Sequence, residues 1–189
     1  MILKKTTTKI ILSAGILLAG LSAHAQGLYT KNASEYEVKA AFLYNFAKFV
    51  TWSQNESDSS NESFIIGIAG RDPFGNLIEQ VMGSKTVLGK QIQIRRYRSV
   101  YQAGLCHILF VSESEKNNYK QILKLFSGRP VLTVSDADGF IEAGGMIRLY
   151  VADNKIRFEI NVRAAEKAKL KLSSKLLYLA TNLKNNDQR

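Results

Sequence analysis

"FIIGIAG", Phe64 to Gly70, is apolar or glycine at every position, with none of the polar alternation of a strand that keeps one face in water. Such a run reads as a strand buried on both faces, and two more follow it: "CHILFVS", Cys106 to Ser112, and "PVLTVS", Pro130 to Ser135. Helical patterns separate them. Asp72 and Pro73 supply an N-cap and a first-turn proline for a helix over Phe74 to Met82. Ser112 with Glu115 makes a capping box for a helix that runs to Phe126 and closes at Gly128. Between these units "KQIQIRRY", Lys90 to Tyr97, alternates as a more exposed strand. Buried strands alternating with helices predict an α/β protein with a mainly parallel sheet covered on both faces.

Toward the C-terminus the pattern changes. "GGMIRLYV" and "KIRFEIN" flank Ala152-Asp153-Asn154, and a short Asp-Asn turn between alternating runs predicts an antiparallel hairpin at one end of the sheet. One helix to about Ala168 and a second after Ser173 follow. Toward the N-terminus, Ser34 and Glu37 form another capping box, and Phe42, Leu43, Phe46, Phe49 and Val50 recur at helical spacing through Trp52. "SQNESDSSNES", Ser53 to Ser63, has no apolar residue to bury and reads as a loop, which leaves Trp52 half exposed at its edge. No internal repeat is present. The expected fold is a compact three-layer α/β sandwich with helices on both faces and a C-terminal hairpin.

Residues 1–25 read as a signal peptide: Lys4, Lys5 and Lys9 precede the apolar run Ile10 to Leu21, and Ala23-His24-Ala25 has the small-x-small pattern of a cleavage site. The run is too short to span a bilayer, which takes about 20 residues. The expectation is a periplasmic protein beginning at Gln26, with residues 26–189 as one domain. The formal charge of the whole chain is +10, and losing the three lysines brings it to +7. Export argues against a nucleic-acid partner, and the aromatics follow apolar periodicity rather than interleaving with Lys and Arg as a base-stacking surface would.

Catalytic equipment is scarce. Cys106 is the one cysteine, so no disulfide forms within the chain, and His107 is the one histidine after the signal peptide. The two are neighbours on a strand and point to opposite faces, which excludes a Cys-His dyad and leaves too few ligands for zinc. "GSKT", Gly83 to Thr86, lacks the contiguous Gly-Lys-Ser/Thr of a phosphate loop. The glycines of "GIAGRDPFG" miss the dinucleotide spacing, leaving Arg71 beside a helix start as a weak anion site. Asp136 and Asp138 follow a buried strand at the edge where open α/β sheets hold ligands, although "SDADGF" reads more simply as a loop whose aspartates cap the next helix. No catalytic, cofactor or metal residue is expected, and the chain reads as a binding protein, not an enzyme.

Three stretches carry a resemblance: "EYEVKAAFLYNFAKFVTW" from Glu35, "GRDPFG" from Gly70, and "VLTVSDADGFIEAGGMIRLYVADNKIRFEINVRAAEKAKLKLSSKLLYLA" from Val131. Together they resemble the YfiR-like family of periplasmic proteins over essentially all of residues 26–189. The resemblance implies a homodimeric repressor that binds the periplasmic sensor region of an inner-membrane diguanylate cyclase and is drawn off it by an outer-membrane lipoprotein. Cyclic di-GMP output, and hence biofilm formation, would rise when repression is lifted. Where well-known relatives carry two disulfide pairs, this chain has Cys106 alone, in the strand that matches one of those positions. The resemblance places cyclase contact on the hairpin and the helix after it, with Glu159 matching the acidic residue of that motif.

"KIRFEIN" itself alternates, with Ile156, Phe158 and Ile160 on one side and Lys155, Arg157 and Glu159 on the other. The expected partner surface is therefore an outward-facing Glu159 with Arg157, Ile147, Ala165 and Leu176 near it. Trp52, Phe42, Phe46 and Phe49 are expected at a dimer contact or a small-ligand cleft. A second class of function stays open: a periplasmic sensing module for small aromatic ligands, acting on another membrane receptor such as a sensor kinase.

Overall fold

The structure is a computed structural model that describes residues 19–52, 63–103 and 106–184. Met1 to Leu18 of the expected signal peptide and most of the expected Ser53–Ser63 loop lie outside the described residues. Residues 1–34 form one unit and residues 35–189 a second; the sheet, both cores and the sites below belong to the second.

In chain order the elements are α1 (Ala19–Phe49), β1 (Val50–Thr51), β2 (Ser63–Ala69), α2 (Leu77–Met82), β3 (Thr86–Val87), β4 (Lys90–Tyr97), β5 (Ile108–Val111), α3 (Tyr119–Phe126), β6 (Leu132–Ser135), β7 (Ile147–Ala152), β8 (Lys155–Asn161), α4 (Val162–Lys167), β9 (Lys171–Leu172), α5 (Ser174–Leu179) and β10 (Asn182–Lys184). Eight strands form one sheet in the order β10-β8-β7-β6-β5-β2-β4-β3, and β1 pairs with β9 apart from it. Strands β4, β2, β5, β6 and β7 run parallel, whereas β7 and β8 form the antiparallel hairpin and β3 turns back against β4. The hairpin turn sets Asp153 and Asn154 at φ of 52° and 56°, the left-handed pair that a two-residue connection with strand twist requires.

Alternate side chains of the central strands feed two cores. Ile108 and Phe110 of β5 join α1, α2, α4 and α5 in one, and Leu109 and Val111 join α3 in the other. Helices therefore cover both faces, and the expected three-layer α/β sandwich is the fold observed.

Boundaries differ where local signals compete with longer-range packing. Helix α1 does not begin at Ser34; it runs from Ala19 with no proline in it, and Ser34 lies within it. It stops at Phe49 because Val50 and Thr51 leave to pair with Leu172 and Lys171. Asp72 does cap, accepting from the Phe74 N–H at 2.7 Å, but the cap closes a turn and not a helix. Gly75 then takes φ of 52°, so helix α2 starts only at Leu77. Ser112 Oγ accepts from the Ser114 N–H, and a 3₁₀ segment, Glu113–Asn118, precedes α3. No helix follows Asp136 and Asp138, and their carboxylates bind other elements.

Candidate functional site

Strand order sets where a cleft must open. The chain places β4 on one side of β2 and then crosses to place β5 on the other, so the loops after β2 and β5 leave the sheet in opposite directions. A crevice at the C-terminal ends of those strands is the usual ligand position of such sheets. Here it measures about 390 Å³ and is lined by Tyr36, Arg71, Pro73, Ser112, Glu113, Ser114 and Asp136.

Each wall is fixed by a bond. Ser114 Oγ accepts from the Arg71 N–H at 2.9 Å, tying the loop after β2 to the loop after β5. Gly70 makes this approach possible, because it sits at φ of 87° and a Cβ there would meet Ser114 Oγ at 2.5 Å. Helix α1 supplies the third side. Tyr36 donates its hydroxyl to Asp136 Oδ2 at 2.9 Å, and Lys39 Nζ lies 2.6 Å both from that oxygen and from Glu35 Oε1. Burial, with the Asp136 carboxylate beside it, pushes the Tyr36 phenol well above its usual range, so it stays a proton donor. The cleft thus presents a guanidinium on one loop, the Glu113 carboxylate on the next, and a lysine-neutralised aspartate at the side.

The two aspartates singled out in the sequence do not act together. Asp136 turns to α1, while Asp138 is held by Arg148 of the hairpin. The signal for the first was partly legible at the end of a buried strand, but its partners lie 97 and 100 residues away.

The expected partner residues are mostly interior. Glu159 is 5% exposed, not outward-facing. Arg148 and Asn182 are its neighbours on the flanking strands, and its carboxylate lies 2.6 Å from Arg148 Nε and 3.8 Å from Lys184 Nζ. Asp138 on Arg148 and Glu142 on Lys184 draw the turn after β6 over the same face. Ile147, Ala165 and Leu176 are core residues of the cluster beneath α1. Arg157 is half-buried, donates from Nη2 to Asp153 at 3.2 Å, and leaves a buried Nε without a partner.

The aromatic set is likewise largely internal. Trp52 is 6% exposed, against the expected half exposure: its indole N–H donates to the His107 carbonyl at 3.1 Å, and its ring meets Phe64 edge-on. His107 accepts from the Ile65 N–H through Nδ1 and stacks on Phe64, a structural role. Phe46 is buried against Phe158 of the hairpin, and Phe42 and Phe49 are half-buried at the margin of that core. Cys106 faces the other core, and burial pushes its thiol up to about 12.

Among the described residues no group of His, Cys, Asp or Glu could hold a metal ion, and no helix is long and apolar enough to cross a membrane. The result is an α/β domain with a polar cleft at its strand switch. Residues 36–181 match the YfiR/HmsC-like family, and the chain belongs to that family of regulatory domains. No curated protein matches it. Among solved structures it is similar to the ABC domain in complex with L-Trp from Streptococcus pneumonia, with 9% identity, a TM-score of 0.48, and 64% of this chain and 55% of that one covered. A conserved domain protein from Vibrio cholerae is similar with 11% identity, a TM-score of 0.47 and coverages of 64% and 54%. The chain spans about half the length of both.

Proposed function

We propose that the chain is an exported, non-catalytic regulator that binds the periplasmic sensor region of an inner-membrane diguanylate cyclase and represses it, acting as a homodimer. An outer-membrane lipoprotein that sequesters it would lift the repression and raise cyclic di-GMP and biofilm formation. Family membership supports the regulatory class, and one observation carries the surface. Tyr178 and Leu179 of α5 and Leu183 of β10 are 88%, 54% and 47% exposed, in the segment that follows the hairpin. Strand β10 is also an edge: one side pairs with β8 and the other with no described strand. The opposite end of the sheet is protected differently, since β4 offers exposed Gln93, Arg95 and Arg96 beyond its short pairing with β3. Aromatic and aliphatic side chains beside an open strand suit a protein partner, supplying buried area and backbone pairing at once.

The test is Tyr178→Ala with Leu183→Ser. Both side chains are exposed, so folding persists, while binding of the purified cyclase periplasmic domain falls at least tenfold and cellular cyclic di-GMP rises. Unchanged affinity in the double variant refutes this surface.

The cleft favours a second reading, a small-molecule sensing module acting on another receptor such as a sensor kinase. Its opposed Arg71 and Glu113 suit a small ligand carrying both charges. Trp52 is enclosed in the core, so an aromatic ligand resting on that indole has no support.

A further inference from the structure

A second cavity, about 400 Å³, lies between α3, the start of β6, the end of the turn after it, and α4. Its four ionisable lining groups are all cations: Lys120 and Lys124 on one wall, Arg163 and Lys167 on the other. Its buried lining combines the apolar Leu123, Phe126 and Met146 with Thr133 and Asn161. The Arg129 guanidinium lies 4.9 Å over the Phe126 ring, adding a fifth cation next to that lining.

This arrangement contrasts with the ion-paired clusters of the domain. Lys39, Arg96, Arg148 and Lys184 each meet carboxylates within 4 Å. Lys120, Lys124 and Lys167 meet none among the described residues, although they face one another across a concavity. One sign of charge gathered in a cleft with low-dielectric walls focuses the field and raises the local concentration of counter-ions. The volume falls within the roughly 300–1,000 Å³ of small-molecule sites, and an apolar lining with a few convergent charged groups is their usual composition.

We propose that this groove is a binding site for an amphiphilic phosphate ester. Its head is held among Lys120, Lys124, Arg163 and Lys167, and its apolar chain lies on Leu123, Phe126 and Met146. A phosphate monoester carries close to two negative charges at neutral pH and three strong acceptor oxygens, enough for several of the four cations at once. A single molecule fits better than a membrane surface, because the charges line a concavity and not a flat face. The site is separate from the α5–β10 surface and from the strand-switch cleft, and it does not depend on the proposed function.

Isothermal titration of the full chain with hexyl phosphate, inorganic phosphate and hexanol tests it. Each buried methylene contributes about fourfold in affinity, so hexyl phosphate should bind at least tenfold more tightly than inorganic phosphate, with hexanol weaker still. Salt should weaken the binding. Replacing Lys120, Lys124 and Lys167 by Gln, at exposed positions whose folding is checked by Trp52 fluorescence, should reduce affinity at least tenfold. Equal binding of hexyl phosphate and inorganic phosphate, or full affinity in the triple variant, overturns the proposal. Binding to phosphatidylglycerol vesicles with none to hexyl phosphate also overturns it, in favour of a membrane surface.

Discussion

Glu159→Lys is the most informative single change. Glu159 is 5% exposed and its carboxylate is placed between Arg148 and Lys184, so the substitution removes the shared acid and adds a third cation beside two half-buried bases. Breaking a buried ion pair by removing one partner costs about 3–5 kcal/mol. Arg148 keeps Asp138 and Lys184 keeps Glu142, which offsets part of the loss, while like-charge repulsion adds to it. A destabilisation of about 3–4 kcal/mol is the expected net, a large share of the roughly 5–15 kcal/mol typical of a domain. Glu159→Gln keeps the shape and one acceptor and should cost about 1–2 kcal/mol. The chain has one tryptophan, and Trp52 is buried against Phe64 and His107, so urea unfolding followed by its fluorescence reads the cost directly. If Glu159→Lys unfolds within 0.5 kcal/mol of the parent, roughly the reach of a surface substitution, the buried-network account is wrong.

Gly70→Ala forces a left-handed φ on alanine and drives its Cβ to 2.5 Å from Ser114 Oγ, so it should cost about 1–3 kcal/mol in the same urea assay; a neutral result removes the argument that the two loops need this approach. Asp136→Asn leaves the buried Lys39 with Glu35 as its remaining acid and should cost about 1–3 kcal/mol, and the double variant Lys39→Met/Asp136→Leu should lose less than Lys39→Met and Asp136→Leu summed; strict additivity would show that the pair is uncoupled. Cys106 should resist iodoacetamide at pH 8 until the protein unfolds, because burial holds its thiol at about 12 against an ordinary 9.0. Between those values the unfolded chain releases the proton that the native state keeps, so this contribution to stability is complete below pH 9 and declines as pH rises toward 12. Rapid native-state alkylation at pH 8 would contradict it.

The parallel strands were legible because burial on both faces leaves a continuous apolar run, and "FIIGIAG" becomes β2 with six of its seven residues buried. The hairpin was legible from Asp153-Asn154, since few residue pairs accept two left-handed conformations in succession. Glu159 was misread for a definable reason. A period of two states which side of a strand a residue occupies, but not what lies over that side. The cover here is Arg148, Lys184 and the turn carrying Asp138 and Glu142, of which β10 is three residues long and has no readable pattern. Trp52 was misplaced likewise, because its position beside a polar stretch said nothing of the His107 carbonyl, 55 residues away, that accepts its N–H. Capping signals misplaced boundaries for two reasons: Ser34 lies inside a helix that already runs from Ala19, and the aspartates after β6 have ion-pair partners stronger than a backbone N–H.

These displacements bear on how partner binding can be dissected. The charge expected to touch the partner instead bridges β8 to Lys184 of β10, the strand that carries Leu183 and forms the open edge. Weakening that bridge loosens the edge, so loss of a partner in Glu159→Lys need not report a contact. Binding assays on this residue alone cannot separate contact from support. Tyr178→Ala and Leu183→Ser can, because their side chains are exposed and Leu183 points to the face of β10 opposite the Lys184–Glu159 pair. If the exposed-residue variants lose the partner at full stability while Glu159→Gln loses it only in proportion to its destabilisation, the contact is on α5 and β10, and the buried charges position it.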